Sequence, residues 1–247
     1  MDIFRLPRLG LVVPPENPIA EPEFNRLLGA EINVYSARFP VTPEFNRETM
    51  EMYNQVLPET LADFGRMNLD AAVIACNASH YLLDPDGDRA FLAELSQRFG
   101  FPVQSSTRAI LDLCEALGVT RMSLVSPYDA WLTDLSRGYW EKAGIAVDHV
   151  VLAPGVPGVT AADDRFNPYL VTTETLLTRL AQVELADDAV VLFTGTGMGT
   201  LPALTELARD GGRRTLLTSN LASAWWTRRT VGADGAAPHP LLRRLKR

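Results

Sequence analysis

Apolar and polar positions follow one another in a repeating order along this chain. Short apolar runs each end in a few small polar residues before a helical spacing resumes. Leu9-Gly10-Leu11-Val12-Val13 reads as a buried strand closed by Pro14-Pro15, with Glu16-Asn17-Pro18 as the loop beyond it. Glu21 to Leu28 has the spacing of a short helix and Ile32 to Phe39 that of a strand. Thr42-Pro43-Glu44 reads as a helix start, and apolar spacing continues from it through Met50, Val56, Leu61 and Phe64. Ala71 to Ala75 predicts a fully buried strand, which breaks into Cys76, Asn77, Ser79 and His80. A helix over 88–99 and a strand over 101–104 follow. A further helix is opened by Ser105-Ser106-Thr107 and stopped at Gly118, as a glycine just past a helix end does.

The order then restarts. Arg121 to Tyr128 resembles the opening strand, with Pro127 in the place of Pro15. A helix over 130–142, a strand over 145–152, a helix over 174–183, a strand over 189–193, a helix over 201–209 and a strand over 215–217 succeed one another. Residues 153–173, rich in Pro, Gly, Asp and Asn, predict a long mobile loop. Asp188 to Gly197 repeats the Cys76 stretch with glycine where the cysteine would be, and Thr218-Ser219-Asn220 echoes Ser105-Ser106-Thr107. The chain is therefore a two-fold internal repeat. It predicts an α/β fold of two pseudo-symmetric, Rossmann-like (flavodoxin-like) halves, each a parallel sheet of about four strands, with the site in the cleft between them. The expected halves are 1–117, completed by a C-terminal helix over 219–247, and 118–218.

Composition narrows the function. A net charge of −7 and a pI near 5.0 argue against nucleic-acid and anionic-membrane partners. They leave room for a small anion held by backbone N–H groups. The apolar runs fall well short of the roughly 20 residues that cross a bilayer. Two cysteines far apart make no disulfide framework, so a reducing cytoplasm is the expected setting. The basic tail, residues 243–247, reads as a solvated end. Oligomeric state is left open.

Cys76 is the strongest candidate for chemistry. It ends a strand beside Asn77 and Ser79, where backbone N–H groups of a strand-to-helix turn would favour a thiolate, although a buried cysteine is also a small hydrophobe. Cys114 lies in a helical run and reads as core. Gly195-Thr196-Gly197-Met198-Gly199 follows a strand and precedes a helix, but its third glycine is misplaced for a dinucleotide site. A nest of N–H groups and hydroxyls (Thr194, Thr196, Thr200) that binds a carboxylate suits it better. Tyr128 is placed to donate its hydroxyl into the cleft, and Asn17 to hold a carboxylate or cap a loop. His80 is a structural histidine or a base. No His/Cys/Asp cluster has metal-ligand spacing, so no metal is expected.

Leu9 to Pro14 with Asn17 and Glu21-Pro22-Glu23-Phe24, followed by Ala75-Cys76-Asn77-Ala78-Ser79, resemble the maleate cis–trans isomerase branch of the aspartate/glutamate racemase superfamily. Arylmalonate decarboxylase belongs to the same branch. The resemblance covers nearly the whole chain. It implies a cofactor-free site between two pseudo-symmetric halves, with two cysteines facing each other across the substrate. Cys76 matches the first of them, the nucleophile of the isomerases. The second falls at Gly195, and Asn77 and Ala78 depart from the Thr-Ser that follows the first cysteine in those relatives. Asn17 and Tyr128 match substrate-carboxylate positions. Pro15, Asn77, Ala78, Gly195, Thr196 and Gly197 complete the expected substrate contacts. Arylmalonate decarboxylase keeps only the second cysteine, so this chain is its mirror arrangement.

With one thiol missing, two-base racemisation is not expected unless His80 or Tyr128 substitutes. Two reactions survive. In one, the Cys76 thiolate adds to a cis-enedioate, the new single bond rotates, and elimination gives the trans isomer. In the other, a malonate-type diacid loses carbon dioxide, Thr196 and Gly197 hold the enediolate, and Cys76 protonates it. Asn17 and the Glu-Pro-Glu-Phe segment favour the isomerase, the glycine-rich motif the decarboxylase. The non-enzymatic alternative is a two-lobed protein that binds a small acid.

Overall fold

The computed structural model describes residues 2–209, 213–233 and 235–245. In the first half, β1 (Arg8–Val13), α1 (Ala20–Leu28), β2 (Asn33–Arg38), α2 (Arg47–Ala62) and β3 (Ala71–Ile74) follow in order. The short α3 (Asn77–Tyr81), α4 (Asp84–Phe99), β4 (Val103–Ser105) and α5 (Ser106–Leu117) complete it. The second half runs β5 (Arg121–Ser126), α6 (Ala130–Lys142), β6 (Ala146–Leu152), α7 (Thr173–Ala181), β7 (Val190–Phe193), α8 (Leu201–Arg209) and β8 (Thr215–Thr218). It ends in α9 (Ser219–Thr230) and α10 (Pro240–Arg244). Both four-stranded sheets are wholly parallel, in the orders β2-β1-β3-β4 and β6-β5-β7-β8, so the repeat seen in the sequence is also a repeat of topology.

The central strands β1, β3, β5 and β7 are almost wholly buried, as expected of parallel strands covered by helices on both faces. The echo between residues 105–107 and 218–220 is one of capping. The Ser105 hydroxyl accepts from the Arg108 N–H (2.9 Å) to open α5, and the Thr218 hydroxyl from the Leu221 N–H (3.0 Å) to open α9. Gly118 ends α5 with φ +68°, the left-handed conformation expected of it.

Helix α9 packs on α5 and α1, and the Ser223 hydroxyl donates to that of Ser106 (3.1 Å). On this packing we propose dividing the chain into 1–117, joined by the C-terminal helices, and 118–218.

Several boundaries differ from those expected. Helix α2 starts at Arg47 because the Asn46 side chain, not residues 42–44, accepts from the Thr49 N–H (2.9 Å). Residues 40–45 are left as a loop. The helix expected at 88 begins at Asp84, whose carboxylate accepts from the Gly87 N–H (3.0 Å). Before it stands the separate α3. The C-terminal segment is two helices, not one. Residues 153–173 are pinned by paired hydrogen bonds between Val156 and Arg165 and by the Asp164–Arg179 ion pair (2.7 Å). The basic tail is not wholly a solvated end: Leu245 is buried, as are Leu241 and Leu242 just ahead of it, and Arg243 donates to the Ala237 carbonyl (3.1 Å). Lys246 and Arg247 lie outside the described residues. No described helix is long and apolar enough to cross a membrane.

Candidate active site

The C-terminal ends of β1, β3, β5 and β7 converge, and hydrogen bonds stitch the two halves together there. The Thr196 hydroxyl donates to the Ala75 carbonyl (2.6 Å) and accepts from Asn17 Nδ2 (3.2 Å), while the Tyr81 and Thr194 hydroxyls bond at 2.5 Å. Between these ends lies a cavity of about 20 Å³. Asn17, Cys76, Asn77 and Ala78 line it from the first half, and Tyr128, Thr196 and Gly197 from the second. Seven of the residues singled out in the sequence therefore meet in one place.

The other three stand elsewhere. Pro15 lines a neighbouring outer cavity, while Pro14 takes its place at the inner one. Gly195 lies behind Tyr128, as its surroundings show. His80 is fully buried away from the cavity. Its Nδ1 lies 2.7 Å from Asp88 Oδ1, and Asp88 Oδ2 accepts from the Ser105 and Tyr139 hydroxyls (2.9 Å each). This network ties α3 to α4, β4 and α6, and it offers no base to the cleft.

Twenty cubic ångströms hold about one water molecule, not a diacid. Phe45, Pro168 and Tyr169 line both this cavity and the outer cavity of about 200 Å³, and so stand between the two. Tyr53, stacked on Phe39 at 4.4 Å, and Phe166 line that outer space together with Glu16 and Glu44. Sequence reading passed over Phe45, Phe166, Pro168 and Tyr169 because they sit in loops without periodicity, and over Tyr53 because in α2 it reads as core. The available signal was three aromatics, Phe45, Phe166 and Tyr169, within stretches otherwise rich in Pro, Asn and Thr. A Cβ at Gly197 would overlap the Tyr169 ring, so only glycine lets the loop of residues 166–169 settle on the turn that follows β7.

The polar groups of the cavity are divided between support and reach. Asn17 is both a cap and a cavity donor. Its Oδ1 accepts from the Ile19 and Ala20 N–H groups (2.9 and 3.1 Å), which aims Nδ2 across the cleft with one hydrogen left over from its bond to Thr196. The Thr196 hydroxyl, expected to hold substrate, is committed to Ala75 and acts as a clamp between the halves. Thr200 is likewise occupied. With the Thr200 and Leu201 N–H groups (2.7 and 3.0 Å) and Asn220 Nδ2 (2.9 Å), its hydroxyl serves the buried carboxylate of Glu23, which caps α8 from the opposite half. The N–H groups of Thr196 and Gly197 make no hydrogen bond among the described residues and remain as donors. No lysine, arginine or histidine lines the cavity. Arg38 sits at its margin, spent on the Pro15 carbonyl (2.9 Å) and on Glu21. Among the described residues no three potential metal ligands cluster.

Cys76 ends the strand in extended conformation (φ −144°) at the start of α3. Burial pushes its thiol above the ordinary 9.0, outweighing the Ser79 hydroxyl and the Ser79 and Ala78 N–H groups that pull it down. The balance runs against the expectation that the turn's N–H groups would favour a thiolate: burial favours the neutral S–H. Alkylation by iodoacetamide is expected to be slow at pH 7 and to accelerate as pH climbs past 9, read by peptide mass spectrometry. Rapid labelling of Cys76 at neutral pH would contradict the neutral thiol. Burial also pushes Tyr53 and Tyr81 up to about 12, and Tyr128 well above 10.

The family model described as arylmalonate decarboxylase matches residues 9–240, nearly the whole chain. The chain belongs to the arylmalonate decarboxylase family. It thereby stands in the branch of the aspartate/glutamate racemase superfamily that also holds the maleate isomerases. A maleate isomerase from Alcaligenes faecalis is 24% identical over 254 residues, covering 94% of each chain. Among solved structures, a cysteine-to-serine variant of the Nocardia farcinica maleate cis–trans isomerase, with a covalently bound succinylcysteine intermediate, superposes with a TM-score of 0.78. It is 23% identical and covers 97% of this chain and 99% of that one. Arylmalonate decarboxylase superposes at 0.77 with 19% identity, covering 97% and 98%. The relatives of this family member are isomerases and decarboxylases, and the structural likenesses show the shared fold.

Proposed function

We propose that this family member is a cofactor-independent enzyme that uses Cys76 as a proton donor on a malonate-type carboxylic acid bearing an apolar substituent. The observation that carries this reading is a thiol buried in a cavity lined by no cation, surroundings that favour S–H over the thiolate. Nucleophilic addition needs a thiolate, and no positive side chain is present to hold one beside a dianionic enedioate. Protonation of carbon needs S–H, the form those surroundings favour.

In this reading Phe45, Pro168 and Tyr169 give way and the two cavities merge around the substrate. The aromatic wall of the outer one takes the substituent, and Glu16 and Glu44 repel a further carboxylate there. One carboxylate is held by the N–H groups of Thr196 and Gly197 and the free amide hydrogen of Asn17. The other, desolvated and without a counter-charge, leaves as carbon dioxide. Its bonding pair passes into an enediolate held by the same donors. Cys76 then gives its proton to the carbon, and the thiolate regains one from solvent.

The second reading is isomerisation of a cis-enedioate through Cys76, as in the relatives named maleate isomerase. The placement of Asn17 in the cavity favours it. The Glu-Pro-Glu-Phe segment does not distinguish the two, because Glu23 is spent on capping α8. Incubation with phenylmalonate and with maleate, followed by ¹H NMR, separates them. The expected result is phenylacetate from the first and no fumarate from the second. Fumarate without phenylacetate would overturn the order of the two readings. Binding of both acids with no turnover of either would leave the protein a small-acid binder.

A further inference from the structure

Internal symmetry defines what stands opposite Cys76. The Ala75 N–H donates to the Val12 carbonyl (2.8 Å) and the Thr194 N–H to that of Val125 (3.0 Å), so β3 on β1 and β7 on β5 share one register. Cys76 and Gly195 are therefore mates across the repeat, and so are Pro15 and Tyr128. Each half thus contributes one side chain with a transferable proton to the cavity, Cys76 from the first and Tyr128 from the second, and the mate of each, Gly195 and Pro15, stands outside its lining.

The backbone at residue 195 has left the symmetric conformation. Gly195 takes φ +98°, held by a bond from its N–H to the Ser219 hydroxyl (3.0 Å). In this conformation a Cβ on residue 195 would stand 2.8 Å from Tyr128 Oη, closer than such atoms approach, and a tight 3.2 Å from Pro127 Cγ. Tyr128 itself is only 6% exposed, lines the same cavity as Cys76, and makes no side-chain hydrogen bond among the described residues. Its hydroxyl is an unpartnered donor in the space where a residue-195 side chain would begin.

We propose that Tyr128 and Gly195 form a matched pair that makes the site one-faced. The Tyr128 hydroxyl fills the room a second proton-transferring side chain would need, and the substrate carbon receives its proton from the Cys76 side alone. The stereochemical part rests on the Cys76 proton-donor reading above; the pairing itself does not. Burial favours the protonated phenol, so it does not take a proton from carbon on the opposite face.

The test has two arms. Thermal melts of wild type, G195A, Y128F and Y128F/G195A need no substrate. G195A is expected to melt several degrees lower, and Y128F to recover part of that loss in the double variant, since residues in contact couple. Additive shifts would overturn the pairing. In the second arm, methylphenylmalonate is the probe and the 2-phenylpropionate formed is resolved by chiral chromatography. Wild type is expected to give one enantiomer and Y128F/G195C a mixture. A racemic product from wild type overturns the proposal, as does a single enantiomer from a double variant shown by its melt to be folded. Absence of turnover in wild type refutes the Cys76 reading, and the melts alone then decide the pairing.

Discussion

Replacing Cys76 with serine is expected to slow turnover of a malonate-type substrate by about 10²–10⁴-fold while the protein stays folded. The side chain ends β3 inside the cavity, makes no structural hydrogen bond that serine cannot also make, and changes little in volume. Its contribution to stability is therefore small, within about 1 kcal/mol. A serine hydroxyl is a far weaker acid than a thiol, so proton transfer from this position to the enediolate slows. Chemical denaturation and NMR rate measurements on one preparation separate the two effects. Turnover unchanged in Cys76→Ser would remove the thiol from the mechanism.

The largest effect on stability is expected at Glu23. This buried carboxylate of α1 accepts from the Thr200 and Leu201 N–H groups at the start of α8 and from the amide of Asn220, which in turn donates to the Thr196 carbonyl (3.1 Å). Glu23→Ala leaves those donors buried without an acceptor and is expected to cost about 2–4 kcal/mol in urea unfolding. The sign with pH is less obvious. Burial raises the Glu23 pKa above the ordinary 4.5, against the lowering by Asn220, Leu201 and Thr200. A carboxyl whose folded pKa is raised contributes most below its unfolded value, and that contribution is lost as pH rises through the folded one. Measured against Glu23→Gln, which does not titrate, wild type should gain relative stability as pH falls toward 4.5. A relative loss on acidification would show that the cap holds its charge more strongly than burial opposes it.

Most of the fold was legible because it depends on local periodicity and on a repeat. Ala71 to Ala75 announces a buried strand on its own, and its recurrence at 189–193 gave the two sheets. Helix starts were less legible where a side chain two or three residues away does the capping, as Asn46 does for α2 and Asp84 for α4. That seven of the candidates would line one cavity was legible because strand ends in parallel sheets converge. What spacing does not convey is which way each polar group spends its hydrogen bonds. Thr196 was read as a substrate donor, and its hydroxyl proves committed to Ala75 across the cleft. Glu23 was read as part of a segment that favours the isomerase, and it caps a helix of the other half. The residues between the two cavities, Phe45, Pro168 and Tyr169, come from loops whose path is set by tertiary contacts alone.

The charge state of Cys76 separates the two single-thiol reactions most sharply, because they demand opposite forms of it. The pH dependence of kcat on phenylmalonate reads that form directly. A proton donor pushed above the ordinary 9.0 by burial predicts a rate that is level across neutral pH and falls only as the thiol ionises at alkaline pH. A rate that rises with pH along the thiolate would contradict it and assign Cys76 the nucleophile's part.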